Sequence, residues 1–215
     1  MTGMNTLPLV THATLKITAC MLLATLAACS KAITVKGDFP EPLVEPLPLT
    51  VGLQYSKDLA NYQYSEALPD DATWSFDLGE ANIALFDSVF GALFQRTRPI
   101  QELQDLAAIE DSVDAVIAPS VEAFEFSLPR QARSDQFSVW IRYNLDVYGP
   151  DGELITRWPI SAYGQSDSQT FGADDSMALA TIRAMRDAAA TIVMRFATQP
   201  KIKESLLKEL SDEET

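Results

Sequence analysis

From Phe137 to Tyr148 every second side chain is apolar. Phe137, Val139, Ile141, Tyr143, Leu145 and Val147 take one face, and Ser138, Trp140, Arg142, Asn144, Asp146 and Tyr148 take the other. A period of two over this length predicts a long strand, its first set packed on a core and its second set turned outward. Gly149–Pro150–Asp151–Gly152 follows as a turn signal, since glycine and proline supply the backbone angles a reversal needs. Glu153–Gly164 returns as the partner strand, with Leu154, Thr156, Trp158, Ile160 and Ala162 alternating against Ile155, Arg157, Pro159 and Ser161. Pro159 has no amide donor, so this strand needs an edge, a bulge or an end there. A hairpin this long commits the chain to a sheet, and the remaining segments have to cover its apolar face.

Those segments supply the cover. Leu49–Tyr55 alternates as a strand, residues 56–73 read as polar and irregular, and Trp74–Leu78 reads as a second short strand. From Glu80 to Gln95 the period changes. Ile83, Phe86, Val89, Phe90, Leu93 and Phe94 recur at spacings of three and four, which predicts an amphipathic helix ended by Pro99. Val113–Ala118 and Val121–Leu128 are strand candidates, with a bulge or bend expected at Pro119, and Pro129–Gln136 is a polar connection carrying Arg130 and Arg133. A second helix is capped by Asp174, Asp175 or Ser176 and runs to about Ala197, with Ala178, Ile182, Met185, Ala189, Ile192, Val193 and Phe196 facing inward. Arg183 and Asp187 are spaced to pair along it. Residues 201–215 form a short helix and an acidic tail. The order predicts an α+β fold: a mixed or antiparallel sheet with two main helices packed on one face, preceded by a signal peptide and an extended tether.

The amino terminus sets the location. Lys16 is the only charged residue among the first thirty, and Ile17–Ala28 is apolar but too short for a stable span. A positive start, a short apolar run and a small-residue exit make an export signal. Its ending, Leu26–Ala27–Ala28–Cys29, resembles the bacterial lipobox. That resemblance implies cleavage before Cys29 and acylation of its thiol, with two or three chains each adding about 0.8 kcal/mol per buried methylene. The chain then divides into 1–28, signal peptide; 29–48, lipidated proline-rich tether; 49–200, the α+β domain; and 201–215, short helix and tail. Pro40, Pro42, Pro46 and Pro48 predict an extended spacer, which at roughly 3.1 Å per residue holds the domain roughly 50 Å from the lipid.

Composition narrows the chemistry. His12 and Cys20 leave with the signal and Cys29 carries lipid, so the mature domain has no histidine and no free thiol. That rules out Ser-His-Asp and Cys-His nucleophiles and zinc sites built from histidine and cysteine. No phosphate-binding glycine loop or metal-ligand run is present, and no cofactor or metal is expected. Asp70–Asp71, Glu110–Asp111 and Asp174–Asp175 are adjacent carboxylates, a pattern that solvation and helix capping explain better than a glycosidase pair or a calcium site. A hydrolase is therefore the least favoured class. The net charge of −14 repels nucleic acid and anionic headgroups, so attachment to a membrane falls to the lipid.

The outward face of the hairpin is the candidate surface. Trp140, Arg142 and Tyr148 share it, Arg157 lies on the returning strand, and Arg130 and Arg133 stand at one end. Aromatic residues and arginine are the types enriched at protein contacts. The competing expectation is that the tether, residues 56–73 or the tail cover this face. The exported lipidated start, the strand–helix–strands–helix order, the Pro-Asp-Gly turn and the alanine-rich closing helix (Ala184–Ala189) resemble the small accessory lipoproteins of Gram-negative envelopes, of the lipopolysaccharide-assembly or ABC-transporter auxiliary type. The resemblance implies a non-enzymatic partner of an envelope assembly or transport complex. Ser30, rather than aspartate, follows the cysteine, which implies the periplasmic face of the outer membrane, with the inner membrane as the alternative. A lipid- or glycan-binding carrier, using an apolar groove between helices and sheet, is the second functional expectation.

Overall fold

The computed structural model describes residues 30–69, 71–101, 113–169 and 172–207. Residues 1–28, read as a signal peptide, Cys29, Asp70, Glu110, Asp111 and the acidic tail from 208 lie outside the described residues. The fold is α+β, as its pattern predicts. Five strands make the large sheet: β2 (Leu47–Leu53), β5 (Phe94–Pro99), β6 (Ala115–Ser127), β7 (Gln136–Tyr148) and β8 (Leu154–Asp167), in the order β5-β2-β6-β7-β8. β5 and β6 pair parallel to β2, whereas β6, β7 and β8 pair antiparallel, so the sheet is mixed.

The hairpin is built as its alternation requires. Phe137, Val139, Ile141, Tyr143, Leu145 and Val147 are all buried, and the turn is closed by Gly152 at φ 79, a left-handed angle that glycine adopts without a Cβ clash. Pro159 is tolerated because β8 is the sheet edge. Pro119, by contrast, interrupts nothing: β6 runs through it, and the register shift falls between Val121 and Ala123.

Two helices cover the inner face, α2 (Gly79–Leu93) and α4 (Ala173–Arg195), with the short α1 (Lys57–Ala60), α3 (Pro129–Ala132) and α5 (Pro200–Leu206) at the periphery. α2 packs the face its spacing predicts: Phe86 meets Tyr143 edge-on at 5.3 Å and Phe90 stacks on Phe86. α4 is rotated from expectation. Its buried stripe is Ser176, Met177, Ala180, Thr181, Ala184, Met185, Ala188 and Ile192, while Ala178, Ile182, Ala189 and Val193 are only partly buried. The cause is Gly164 on β8, where a Cβ would overlap the Ala180 carbonyl oxygen and the Ala184 amide. Backbone packs on backbone there, so alanine rather than isoleucine faces the sheet. Gly172 occupies the N-cap. Asp174 and Asp175 sit in the first turn, where the helix dipole favours them, and the Ser176 hydroxyl donates to the Asp167 carbonyl. Asp187 does not pair with Arg183. It accepts from the Tyr163 amide at 3.0 Å, while Arg183 donates to the Gln165 carbonyl at 2.7 Å, so both bond the backbone of β8.

Three expectations are corrected. Residues 56–73, read as irregular, contain α1 and a strand, β3 (Gln63–Ala67). Phe94 and Gln95, expected at the end of the helix, belong instead to β5. The segment read as a tether begins with a strand, β1 (Ser30–Thr34), paired in parallel with β4 (Thr73–Asp77). β1, β4 and β3 form a second, three-stranded sheet, where one sheet was expected. After β1 the chain stays on the body: Val35 and Phe39 are buried, Arg186 donates to the Asp38 carbonyl, and the Ser88 hydroxyl donates to the Phe39 carbonyl. Leu43 farther along is fully exposed. The small sheet packs on the inner face of the large one through aromatic rings, Phe76 lying 4.7 Å from Phe124 and Trp74 6.3 Å from Phe137.

Among the described residues a polar pair sits in the core. The Tyr143 hydroxyl donates to Asn82 Oδ1 at 2.8 Å. Burial pushes the Tyr143 phenol far above its usual range, and burial followed by the Asp87 carboxylate does the same to Tyr55, whose hydroxyl donates to Asp87 at 2.9 Å. A phenol that stays protonated in the fold but ionises near pH 10 when unfolded stabilises the fold below that pH only. We therefore expect stability to be flat through neutral pH and to fall above about pH 10, by up to ~1.4 kcal/mol per pH unit for each such tyrosine. Urea midpoints measured from pH 8 to 12 check this, and Tyr143→Phe makes the fall shallower.

Candidate interaction face

On the outward side of the hairpin Trp140, Arg142, Arg157 and Tyr163 are exposed, whereas at the other end of that face Val116 of β6 is fully buried with Ile100 and Val113, and Tyr148 packs on them. The strands β1 and β3 do not cross it, since the small sheet they form with β4 packs on the inner face through Trp74 and Phe76, and the tail, the other expected cover, lies outside the described residues. Among the predicted residues, β7 presents Trp140, Arg142 and Tyr148, and β8 presents Arg157.

Trp140 is 43% exposed. Directly opposite on β8 is Tyr163, 41% exposed, and the two rings lie 5.0 Å apart, tilted by 41°. Such a pair is worth about 0.5–1.5 kcal/mol beyond its area, which holds two large rings in fixed positions at the surface. The Tyr163 hydroxyl bonds Ser138 and donates to Gln165, both at 3.1 Å, so the tyrosine is oriented from beneath. A shallow recess of about 230 Å³ opens beside Trp140, floored by Ala123, Ile141 and Ala162 and rimmed by Glu125, Arg142 and Ser161. Tyr163 was not among the predicted residues. The signal was present: the alternation that turns Arg157 outward turns Tyr163 outward as well.

The arginines differ in role. Arg157 lies opposite Asp146 and makes two hydrogen bonds to its carboxylate, Nε and Nη2 each at 2.6 Å. Hydrogen bonding and then the charge of Asp146 raise the guanidinium pKa further above its already high value. Arg142 meets Glu122 at 3.4 Å, an exposed pair of small worth. Both cations are answered by carboxylates on the same face, so the uncompensated feature is aromatic and apolar. Tyr148 is half-buried at the far end of β7, its phenol raised by burial first and by Asp146 next.

Arg130 and Arg133 are not brought to this face. Arg130 sits on α3, 2.7 Å from Asp71 in the connection before β4, and so ties the small sheet to the large one. Arg133 is the exposed cap of α3, at φ 50. Asp71 thus serves an ion pair, and Asp174 pairs with Lys31 at 3.2 Å. Among the described residues no three histidine, cysteine, aspartate or glutamate side chains gather as a metal site.

The space between helices and sheet is filled: Phe86, Phe90, Met177, Met185 and Ile192 are fully buried there. The apolar groove lies on the outside instead. It spans about 370 Å³ between Ser88 and Val89 of α2, Ala189, Val193 and Met194 of α4, and the segment Phe39–Val44. Leu43 is fully exposed at its rim, and Met194 is 69% exposed. Among the described residues no helix is long and apolar enough to cross a membrane.

No family model matches the chain, and no curated protein matches its sequence. In three dimensions the chain is similar to protein XCC0632 from Xanthomonas campestris, of the family DUF330, at 13% identity and a TM-score of 0.48, over 87% of this chain and 100% of that one. It is similar to a Helicobacter pylori protein named for its resemblance to a neuraminyllactose-binding hemagglutinin, at 14% identity and a TM-score of 0.42, over 80% of this chain and 96% of that one. A Caulobacter crescentus protein provisionally described as a lipoprotein shares 17% identity at a TM-score of 0.33, over 45% of this chain and 75% of that one. At these identities and scores the likenesses carry no residue role over to this chain.

Proposed function

We propose that this chain is a lipid-anchored envelope protein without enzymatic activity, held through Cys29 at the periplasmic face of the outer membrane, that docks on a larger envelope assembly or transport complex. The partner meets the open face of β6–β7–β8. The observation that carries this reading is the Trp140–Tyr163 pair, two large rings left exposed on a rigid sheet face. Exposed aromatics beside a recess make the kind of anchor that supplies most of a contact's energy. Strand addition at this part of β8 is disfavoured, because Asp187 and Arg183 already bond its backbone at Tyr163 and Gln165 and Pro159 offers no donor. Recognition therefore runs through side chains on the face.

A photocrosslinker at position 142 in living cells is expected to capture one envelope protein, and Trp140→Ala to abolish that capture while leaving the folded protein's abundance unchanged. Capture that survives Trp140→Ala, or no specific product, overturns the reading. The carrier reading has one observation in its favour, the outer groove lined by Phe39, Leu43, Val193 and Met194. Native mass spectrometry showing a lipid or glycan bound to the delipidated protein would favour it over docking.

A further inference from the structure

The sheet begins one residue after the proposed anchor. Ser30 is the first residue of β1 and pairs with Thr73 at the start of β4. Lys31 pairs with Asp174 and lies 4.6 Å from the centre of the Trp74 ring. On the anchor reading, on which this inference rests, the acylated residue is Cys29, and consecutive Cα atoms are about 3.8 Å apart. No spacer separates the lipid from the fold, so the end of the molecule around Ser30 lies at the bilayer surface.

The contacts define that end. Asp71, just before β4, holds Arg130 of α3. Trp74 packs on Phe137 at the start of β7, and Asp174 opens α4. β7 leaves this end and runs 13 residues, so its far turn at 149–152 is roughly 40 Å away. We infer that the domain stands end-on against a lipid surface, with Ser30, the connection before β4, α3 and the first turn of α4 at the bilayer and the 149–152 turn farthest from it. Charge does not draw this end down. Lys31 and Arg130 are taken up by Asp174 and Asp71, and Arg133, the exposed cap of α3, is outnumbered by Asp135, Asp167 and Asp175. The acyl chains set the orientation, and anionic headgroups contribute nothing to it.

The orientation also narrows the partner. Trp140 and Tyr163 each lie four residues from the membrane-side end of their strands, Gln136 and Asp167, or roughly 13 Å along the sheet. A protein that engages them is one held in that same membrane, not one reaching in from the far side of the periplasm.

The test uses the full lipidated protein in phosphatidylcholine vesicles containing headgroup-nitroxide phosphatidylcholine. Ala132→Cys and Gln169→Cys place a fluorophore at the membrane end, and Pro150→Cys places it at the far turn. The expected result is loss of fluorescence at 132 and 169 and none at 150, with the difference erased when a long Gly/Ser spacer is inserted between Cys29 and Ser30. Equal quenching at all three positions in a lipidated protein overturns the orientation and leaves the anchor reading standing. A protein without acyl chains on Cys29 overturns both. Neither outcome bears on the crosslink at position 142, which tests the docking face separately.

Discussion

Replacing Gly164 by alanine is expected to destabilise the domain by about 3 kcal/mol or more, the upper end of overpacking effects. A Cβ at this position overlaps the Ala180 carbonyl oxygen and the Ala184 amide nitrogen, with the Arg183 carbonyl carbon close behind. All three are backbone atoms of α4, so no rotamer change relieves the overlap and the helix has to lift from β8. Lifting it also breaks the bonds from Tyr163 to Asp187 and from Arg183 to Gln165. Gly91→Ala is the internal control. A Cβ there meets nothing, the residue lies inside α2, and the change should stabilise by roughly 0.5–1 kcal/mol. Urea unfolding of a non-acylated Cys29→Ala background measures both. A Gly164→Ala loss below about 1 kcal/mol would mean that α4 does not approach β8 this closely.

The second large effect is expected at Phe76, where alanine should cost about 3–5 kcal/mol. Phe76 is 1% exposed, and its ring lies 4.7 Å from Phe124 and 5.0 Å from Phe126 of β6, with Tyr64 and Trp74 at 6.4 and 6.5 Å. It is the central ring of the cluster that fixes the small sheet to the large one. The loss should therefore be uneven. Hydrogen exchange should speed up across 30–34 and 63–77 more than across β7 and β8. Uniform acceleration would mean that the two sheets unfold as one unit. The result bears on orientation as well, since β1 carries the chain from the proposed anchor into this sheet. A variant that frees β1 restores the spacer that the folded protein lacks.

The elements legible in the sequence are those whose signal is local. The β7 alternation needs only its own residues, and the covered and open faces follow from it. The α2 face is legible because Phe86, Val89, Phe90 and Leu93 are large and evenly spaced. On α4 the same rule holds for Met185, Ile192 and Phe196 and misleads for the rest. It also selects Ile182 and Val193 for the core, whereas Ala180 and Ala184 make the close contact with β8, because a glycine on another element sets how closely the helix approaches. β1 and β5 have no local signature. Ser30–Thr34 is short and polar, Phe94–Pro99 buries little beyond Phe94, and each is a strand only because β4 or β2 lies beside it.

The candidate surface divides in the same way. Parity along one hairpin was enough to put Trp140, Arg142 and Arg157 on a common face, and it applied equally to Tyr163. What parity cannot supply is distance across the fold. Arg130 went to Asp71 and the small sheet, and the proline-rich segment became a docked strand and a rim instead of a spacer. The sequence by itself determined the α+β class, the long hairpin, and the absence of histidine and cysteine after Cys29, because periodicity and composition are properties of the chain. Tertiary structure alone decided that Trp140 and Tyr163 stand together exposed on the sheet and that Ser30–Thr34 is a strand, because both depend on pairing between segments far apart in the sequence.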